Sequence, residues 1–185
     1  MKPVPCFAFA LAAALALASA ARAHDPFESW TEAIVQSDRL EVFVTMAQAT
    51  ALKLVDAEAR VTALSPENFP ALRDRFVREG AALFILTASR KPLPPREVTV
   101  ELTEELDVAF KLVYARPAPG RLHFHAAFLK KLGEGYGGIV DVGDNAGHQF
   151  GWEQISWENP NLEVVVPSPP PPAAPPPTAP PPKKT

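Results

Sequence analysis

Residues 39–46 read Arg-Leu-Glu-Val-Phe-Val-Thr-Met, and apolar side chains stand at every second position from Leu40 to Met46. Successive side chains of a β-strand point to opposite faces, so this period of two predicts a strand with one face on a core. Another apolar run, Trp30–Gln36, precedes it across Ser37-Asp38, a pair suited to a turn. We therefore predict that the domain begins with a β-hairpin.

Seven later stretches have the composition or the alternation of strands, and turn-forming residues separate them at short intervals. They are Ala81–Ala88, Glu97–Thr103, Val108–Ala115, Arg121–Phe128, Gly138–Val142, His148–Ile155 and Leu162–Val166. Asp144-Asn145-Ala146-Gly147 predicts a hairpin turn between two of them. The pattern predicts an all-β fold, a single Ig-like β-sandwich, rather than a barrel or an α/β fold.

One short helix interrupts the strands over residues 66–79. Ser65 is suited to an N-cap, Pro66 to the first helical position, and Gly80 to a stop. The apolar side chains between them share one helical face: Phe69, Leu72, Phe76 and Val77. A second apolar piece, Ala51–Val55, fits either a helical turn or a loop packed on the sheet.

Residues 1–23 have the three parts of a secretory signal peptide. Lys2 supplies a positive charge, an apolar run extends over residues 7–18, and Ala21-Arg22-Ala23 matches the small-residue cleavage pattern. The apolar run is too short for a membrane span, which needs about 20 residues. We expect cleavage after Ala23, a new amino terminus at His24, no membrane span after cleavage, and a periplasmic or secreted location.

The exported chain divides into a domain, residues 24–166, and a tail, residues 167–185. The tail contains half of the 22 prolines, so we expect it to stay disordered and to favour extended polyproline II. Cleavage removes the single cysteine, Cys6, and makes the formal charge more negative than −3, because Lys2 and Arg22 are lost. This acidity argues against nucleic acid or an anionic membrane surface as a partner.

The sequence lacks the usual catalytic signatures. It has no Gly-x-Ser-x-Gly motif and, once exported, no thiol. Glu104, Glu105 and Asp107 cluster between two predicted strands, where a solvated acidic turn is the ordinary interpretation. We therefore predict a binding domain rather than an enzyme.

Histidines give the sharpest hypothesis about a ligand. His123 and His125 are two residues apart on a predicted strand, so both imidazoles project from one face and can chelate one ion. Cleavage before His24 would add an α-amine and a third imidazole, a nitrogen set suited to copper or nickel. The alternative is that both strand histidines simply line a solvated sheet face. The predicted metal ligands are therefore His24, His123 and His125.

Two other ligand classes stay open. The aromatic side chains could form a carbohydrate-binding platform: Trp30, Trp152, Trp157, Tyr114 and Tyr136. We predict core packing instead, because large aromatic side chains usually supply core area and because Phe150 and Gln154 would share the strand face of Trp152. The third possibility is a module that binds an unknown envelope protein, with the proline-rich tail as its tether or docking segment.

Several short motifs of the mature domain resemble one family. They are Ala23-His24-Asp25-Pro26, Asp38-Arg39-Leu40-Glu41-Val42, Leu83-Phe84-Ile85-Leu86-Thr87, Lys91-Pro92-Leu93-Pro94-Pro95, Phe128-Leu129-Lys130-Lys131-Leu132 and Asp144-Asn145-Ala146-Gly147. Together they are similar to the extracytoplasmic amino-terminal domain of HupE/UreJ-type membrane proteins, which are linked to hydrogenase and urease accessory functions and to nickel or cobalt uptake. The resemblance implies an exported β-sandwich connected with metal handling. Membrane helices follow the domain in that family, whereas proline follows it here, so permease activity is not carried over. Gly135-Tyr136-Gly137 also stands where relatives tend to have a histidine.

Overall fold

A computed structural model describes residues 28–168, which form ten strands and three short helices. The strands are β1 (Glu28–Val35), β2 (Arg39–Met46), β3 (Phe84–Ala88), β4 (Lys91–Leu93), β5 (Pro95–Leu102), β6 (Val108–Ala115), β7 (Gly120–Ala126), β8 (Gly137–Asp144), β9 (Gln149–Ser156) and β10 (Asn161–Val166). The helices are α1 (Gln48–Leu54), α2 (Phe69–Gly80) and α3 (Ala127–Leu132).

The strands form two sheets. The larger sheet has six strands in the order β5-β6-β2-β1-β8-β9, and the smaller has four in the order β10-β7-β3-β4. All pairings are antiparallel except that of β1 with β8, which is parallel and sets Trp30 beside Ile139. The predicted all-β sandwich is confirmed, and so is the opening hairpin of β1 and β2.

One hydrophobic core lies between the sheets. In β2 the predicted alternation holds, because Leu40, Val42, Val44 and Met46 are all buried. Helix α2 contributes Phe76, whose ring lies 5.6 Å from that of Phe69 and 6.2 Å from that of Phe110 on β6. The predicted apolar face of this helix therefore packs on the core.

The two sheets meet at one edge, where β9 leads into β10. The backbone N–H of Ser156 donates to the carbonyl of Asn159 at 3.0 Å and closes the turn between these strands. Gly151 on β9 lies so close to β10 that a Cβ at this position would be 2.9 Å from a methyl carbon of Val164. A side chain at residue 151 would therefore push the two edge strands apart.

Helix α2 begins at Phe69 rather than at Pro66, so the predicted N-cap at Ser65 is wrong. Residues 65–68 form a separate turn before the helix. In this turn the Asn68 Oδ1 accepts a hydrogen bond from the Ser65 N–H at 2.9 Å. At its other end the helix reaches Gly80 as predicted, but further turn hydrogen bonds continue to Leu83. Strand β3 consequently starts at Phe84 and not at Ala81.

Two short elements depart from the predicted pattern. The predicted strand over Arg121–Phe128 ends at Ala126, because α3 turns its spaced apolar residues Phe128, Leu129 and Leu132 onto the core. Strand β4 was not predicted; it lies at the edge of the smaller sheet, where Pro92 is tolerated. The open choice for residues 51–55 is settled in favour of a helix, α1.

The predicted signal peptide, His24 and the tail beyond Ser168 lie outside the described residues. Within residues 28–168, none of the helices is long and apolar enough to cross a membrane.

Tyr114 offers a test of the core. Its ring is buried on β6, and its hydroxyl has no hydrogen-bond partner within residues 28–168. Burial also raises the pKa of this phenol well above its usual range. Because an unsatisfied buried hydroxyl costs about 1–3 kcal/mol, Tyr114→Phe should stabilise the domain by about 1 kcal/mol in urea unfolding.

The matched control is Tyr136→Phe, at a half-buried tyrosine whose ring lies 4.4 Å from the Lys53 ammonium. This substitution should bring no gain. A loss of stability in Tyr114→Phe would show that the hydroxyl is satisfied in solution.

Candidate functional site

The histidine pair lies on the outer face of the smaller sheet. Along β7, Leu122, Phe124 and Ala126 are buried, whereas His123 and His125 between them are partly exposed. The prediction that both imidazoles project from the same strand face is therefore confirmed.

His125 is held by the neighbouring strand. Its Nδ1 lies 2.9 Å from Oδ1 of Asn161, which is opposite it on β10. An amide oxygen only accepts hydrogen bonds, so in the neutral imidazole this contact places the proton on Nδ1 and leaves the lone pair on Nε2. Metal-binding histidines are commonly oriented by such a contact at the second ring nitrogen.

His123 has a different environment. It lies between Glu163 on β10 and Thr87 on β3, and Oε1 of Glu163 is 2.8 Å from the Arg121 guanidinium. Among residues 28–168, no three histidine, cysteine, aspartate or glutamate side chains lie close enough together to hold a metal ion. A site that uses His123 and His125 therefore needs a ligand from another part of the chain, and His24 stays a predicted ligand.

The start of β1 lies at the same end of the sandwich as His125. Through β8, Glu28 is level with Ser156 on β9. Strand β10 then starts at Asn161, directly opposite His125. His24 is the fourth residue before Glu28, and four extended residues span at most about 14 Å.

The outer face of the larger sheet has a different chemistry, dominated by tryptophan. Trp30 on β1 is 54% exposed and Trp152 on β9 is 59% exposed. The prediction of core packing is wrong for both tryptophans. A bulge at Phe150 breaks the regular alternation: Phe150 packs against the core, while Trp152 points to solvent.

Polar side chains lie beside these two tryptophans on the same sheet face. Asp141 on β8 is opposite Trp152, and Glu32 on β1 is level with Asp141. The Gln149 amide donates to the Asp141 carboxylate at 2.8 Å. From the strand spacing and rise, the Cα atoms of Trp30 and Trp152 are about 12 Å apart. We call this surface, with Trp30, Glu32, Asp141, Gln149 and Trp152, the tryptophan face.

A groove of about 410 Å³ adjoins one end of the tryptophan face. Trp30 and Ile139 contribute apolar walls, and the polar lining contains Glu28, Ser29, Thr45, Thr103, Glu105 and Asp107. We call it the Trp30 groove.

Two of the groove carboxylates come from the acidic turn between β5 and β6. This turn is closed by hydrogen bonds from the Thr103 N–H to the Asp107 carbonyl, 2.9 Å, and from the Asp107 N–H to the Thr103 hydroxyl, 3.1 Å. Spacing along the sequence indicates an acidic turn but not that it faces a tryptophan, because β1 and β2 bring Trp30 and Thr45 to it from elsewhere in the chain.

A buried carboxylate stabilises the same outer surface. Glu41 on β2 accepts from the Arg39 guanidinium at 3.0 Å, the Lys111 ammonium at 2.9 Å and the Gln36 amide at 2.7 Å. The hydrogen bond from Lys111 is the main reason why the pKa of Glu41 lies below its usual value. The Lys111 ammonium is also 5.4 Å from the ring centre of Phe43, so one network fixes charge and aromatic positions together.

The remaining aromatic and histidine candidates differ in their exposure to solvent. Trp157, in the turn before β10, is 47% exposed, whereas Tyr114 is buried and cannot belong to a surface platform. His148 is exposed as predicted, and it contacts Asp144 at the predicted hairpin turn, 2.9 Å from Nδ1 to Oδ2. This hydrogen bond and one from the His148 backbone lower the pKa of Asp144. These contacts close the turn between β8 and β9.

No protein-family model matches this chain, and no curated protein matches it. The relationship to HupE/UreJ-type domains therefore rests on the short motifs alone and stays a prediction.

The Glu41 network makes a prediction about pH. Because the folded pKa of Glu41 lies below its usual value of 4.5, its stabilising contribution is present at neutral pH and is lost as the pH falls through that lowered value. Glu41→Gln should cost about 1–2 kcal/mol at pH 7 and much less in acid, where the wild type has lost the same contribution. Urea unfolding at several pH values measures the difference.

Glu101→Gln, at an exposed carboxylate on β5, is the matched control and should leave stability nearly unchanged at each pH. An equal loss from Glu41→Gln at neutral and acid pH would contradict the role of the charge.

Proposed function

We propose that this chain is an exported, non-enzymatic carbohydrate-binding domain, and that its ligand lies across the tryptophan face and the Trp30 groove. The observation that supports this proposal is the exposure of Trp30 and Trp152 on one sheet face, with two carboxylates and an amide beside them. Indole rings provide flat apolar surfaces for the C–H faces of sugar rings, while carboxylate and amide groups can bind the hydroxyls. The signal-peptide pattern of residues 1–23 accounts for the export.

A protein partner fits this surface less well. The centres of protein interfaces are depleted of aspartate and glutamate, whereas Glu32 and Asp141 lie beside the two tryptophans. A protein-interaction module that uses the tail of residues 167–185 as its tether is the alternative. It predicts that removal of the tail abolishes partner capture and leaves the stability of the sandwich unchanged.

The test of the carbohydrate proposal is calorimetric titration of the processed protein with oligosaccharides of glucose, N-acetylglucosamine and mannose. Trp30→Ala and Trp152→Ala should each weaken binding at least about tenfold, because each removes one aromatic stacking surface. Trp157→Ala is the matched control: this tryptophan is also exposed but lies outside the tryptophan face, so binding should not change.

Two outcomes would reject the proposal: saturable binding to none of these sugars, or equal losses from all three tryptophan substitutions. Release of reducing ends during the titration would show that the chain is an enzyme after all.

The second candidate function is the binding of copper or nickel by His24, His123 and His125. The contact between His125 and Asn161 favours it, because it leaves Nε2 of an outward-facing imidazole with its lone pair. The resemblance to HupE/UreJ-type domains points in the same direction. The carbohydrate and metal surfaces lie on opposite sheets, so the two functions can be tested separately.

The metal proposal predicts saturable binding of copper(II) or nickel(II) by a chain that starts at His24. A double variant, His123→Ala with His125→Ala, should lose most of this affinity, and so should a chain with one alanine added before His24, since the added residue takes the terminal amine away from the histidine. His148→Ala, at an exposed histidine in another turn, should bind as the wild type does. Calorimetric binding that survives both ligand changes would contradict the proposal.

A further inference from the structure

The outer face of the smaller sheet also carries an open cavity of about 650 Å³ that is lined by polar and charged residues. It is lined by Thr87, Ser89, Arg90, Arg121, His123 and Glu163. We call it the arginine cavity. It lies on the sheet opposite to the tryptophan face, so it is independent of the carbohydrate proposal.

The arginine cavity is cationic although the chain as a whole has a formal charge of −3. It contains two guanidiniums, Arg90 and Arg121, against one carboxylate, Glu163. Glu163 bonds to one Arg121 nitrogen at 2.8 Å. Because a guanidinium has five N–H donors, this contact orients the Arg121 side chain and still leaves donors for a ligand.

The other lining groups can also donate hydrogen bonds. Thr87 and Ser89 bring hydroxyls, and His123 brings an imidazole that lies opposite Thr87 in the strand register. Guanidiniums pair with carboxylate and phosphate oxygens in a two-pronged geometry, and hydroxyls can complete such a site. The lining therefore favours an oxyanion.

The backbone beside this cavity is in an unusual conformation for its sequence. Ala88 pairs with Lys91, so Ser89 and Arg90 alone form the hairpin turn between β3 and β4. Their φ values are 50° and 65°. Two-residue hairpins with both φ angles positive favour Asn-Gly, because a Cβ is disfavoured in the left-handed region.

Contacts with β7 fix this turn. The Ser89 N–H donates to the Arg121 carbonyl at 2.9 Å, and Gly120, with a φ of 122°, allows β7 to start beside it. The turn thus holds Arg90 at the rim of the cavity that contains Arg121, at a conformational cost that glycine would avoid. Strain of this kind is concentrated at functional sites.

We propose that the arginine cavity binds an oxyanion, the phosphate or carboxylate group of a small molecule. Arg90 and Arg121 pair with this group. The Ser89 and Thr87 hydroxyls and the His123 ring donate further hydrogen bonds to it. The strained Ser89-Arg90 turn positions the first of these guanidiniums.

The test is calorimetric titration with inorganic phosphate and, separately, with citrate at physiological ionic strength. The protein is first treated with a chelator and dialysed, so that no metal ion contributes. Saturable binding of phosphate alone would identify a phosphate site, and saturable binding of citrate alone a carboxylate site. Arg121→Gln should weaken the binding at least about tenfold, because a charge-assisted pair of hydrogen bonds is lost.

Arg90→Gly is the decisive variant because it should act in opposite directions on two properties. Glycine accepts the positive φ, so the Tm should rise, while the loss of the guanidinium should weaken anion binding at least about tenfold. A residue that served the fold alone would not show this combination. A Tm that does not rise would overturn the role given to the turn.

Two control variants keep this proposal separate from the others. Arg73→Gln, at an exposed arginine on α2, should leave anion binding unchanged and excludes a general effect of charge. His125→Ala should impair metal binding but not anion binding, since His125 does not line the arginine cavity. The proposal is overturned if neither anion binds saturably, or if Arg90→Gly and Arg121→Gln bind as the wild type does.

Discussion

Strand β1 joins the two halves of the larger sheet, because it pairs antiparallel with β2 on one side and parallel with β8 on the other. The second pairing requires a very close approach. A Cβ at Gly138 would lie 2.3 Å from the carbonyl oxygen of Ser29, so only glycine fits there. This contact sets Trp30 beside Ile139 and lets β8 and β9 continue the sheet. Through the turn after β9 it also determines where β10, and with it the smaller sheet, begins.

Local sequence patterns predict strands whose side chains alternate regularly between core and solvent. They do not predict contacts between segments that are far apart in the sequence. The alternation in β2 and β6 is clear because each strand has one face on the core and one face outside. The parallel pairing of β1 and β8 joins segments about a hundred residues apart, and no local signal specifies it. The prediction for Trp152 is wrong for a related reason: a single bulged residue, Phe150, changes which side chains face the core, and its position depends on the partner strand.

The residues of the candidate sites also divide into those that local spacing predicts and those that only the strand register reveals. Two residues on one strand, His123 and His125, are predictable from their spacing because a strand fixes their relative direction. Asn161 lies on β10 and Arg90 in the turn after β3. Their proximity to the histidines follows only from the register of β7 with β10 and with β3. The sequence does not predict the Ser89-Arg90 turn. Its residues are not the ones that favour such a turn, and only their φ values reveal it.

The sandwich separates two chemistries that would interfere on one surface. Carboxylates beside exposed indoles suit a neutral ligand with many hydroxyls, and they would repel an anion. The guanidiniums of the arginine cavity favour an anion, and they oppose a bare metal cation at His123 more than at His125, which lies two residues further along β7 from Arg121. Because packed sheets are about 10 Å apart, neither ligand blocks the other. If a metal ion binds beside this cavity, electrostatics therefore favour His125 over His123 as its principal strand ligand, and favour an ion that carries anionic ligands of its own.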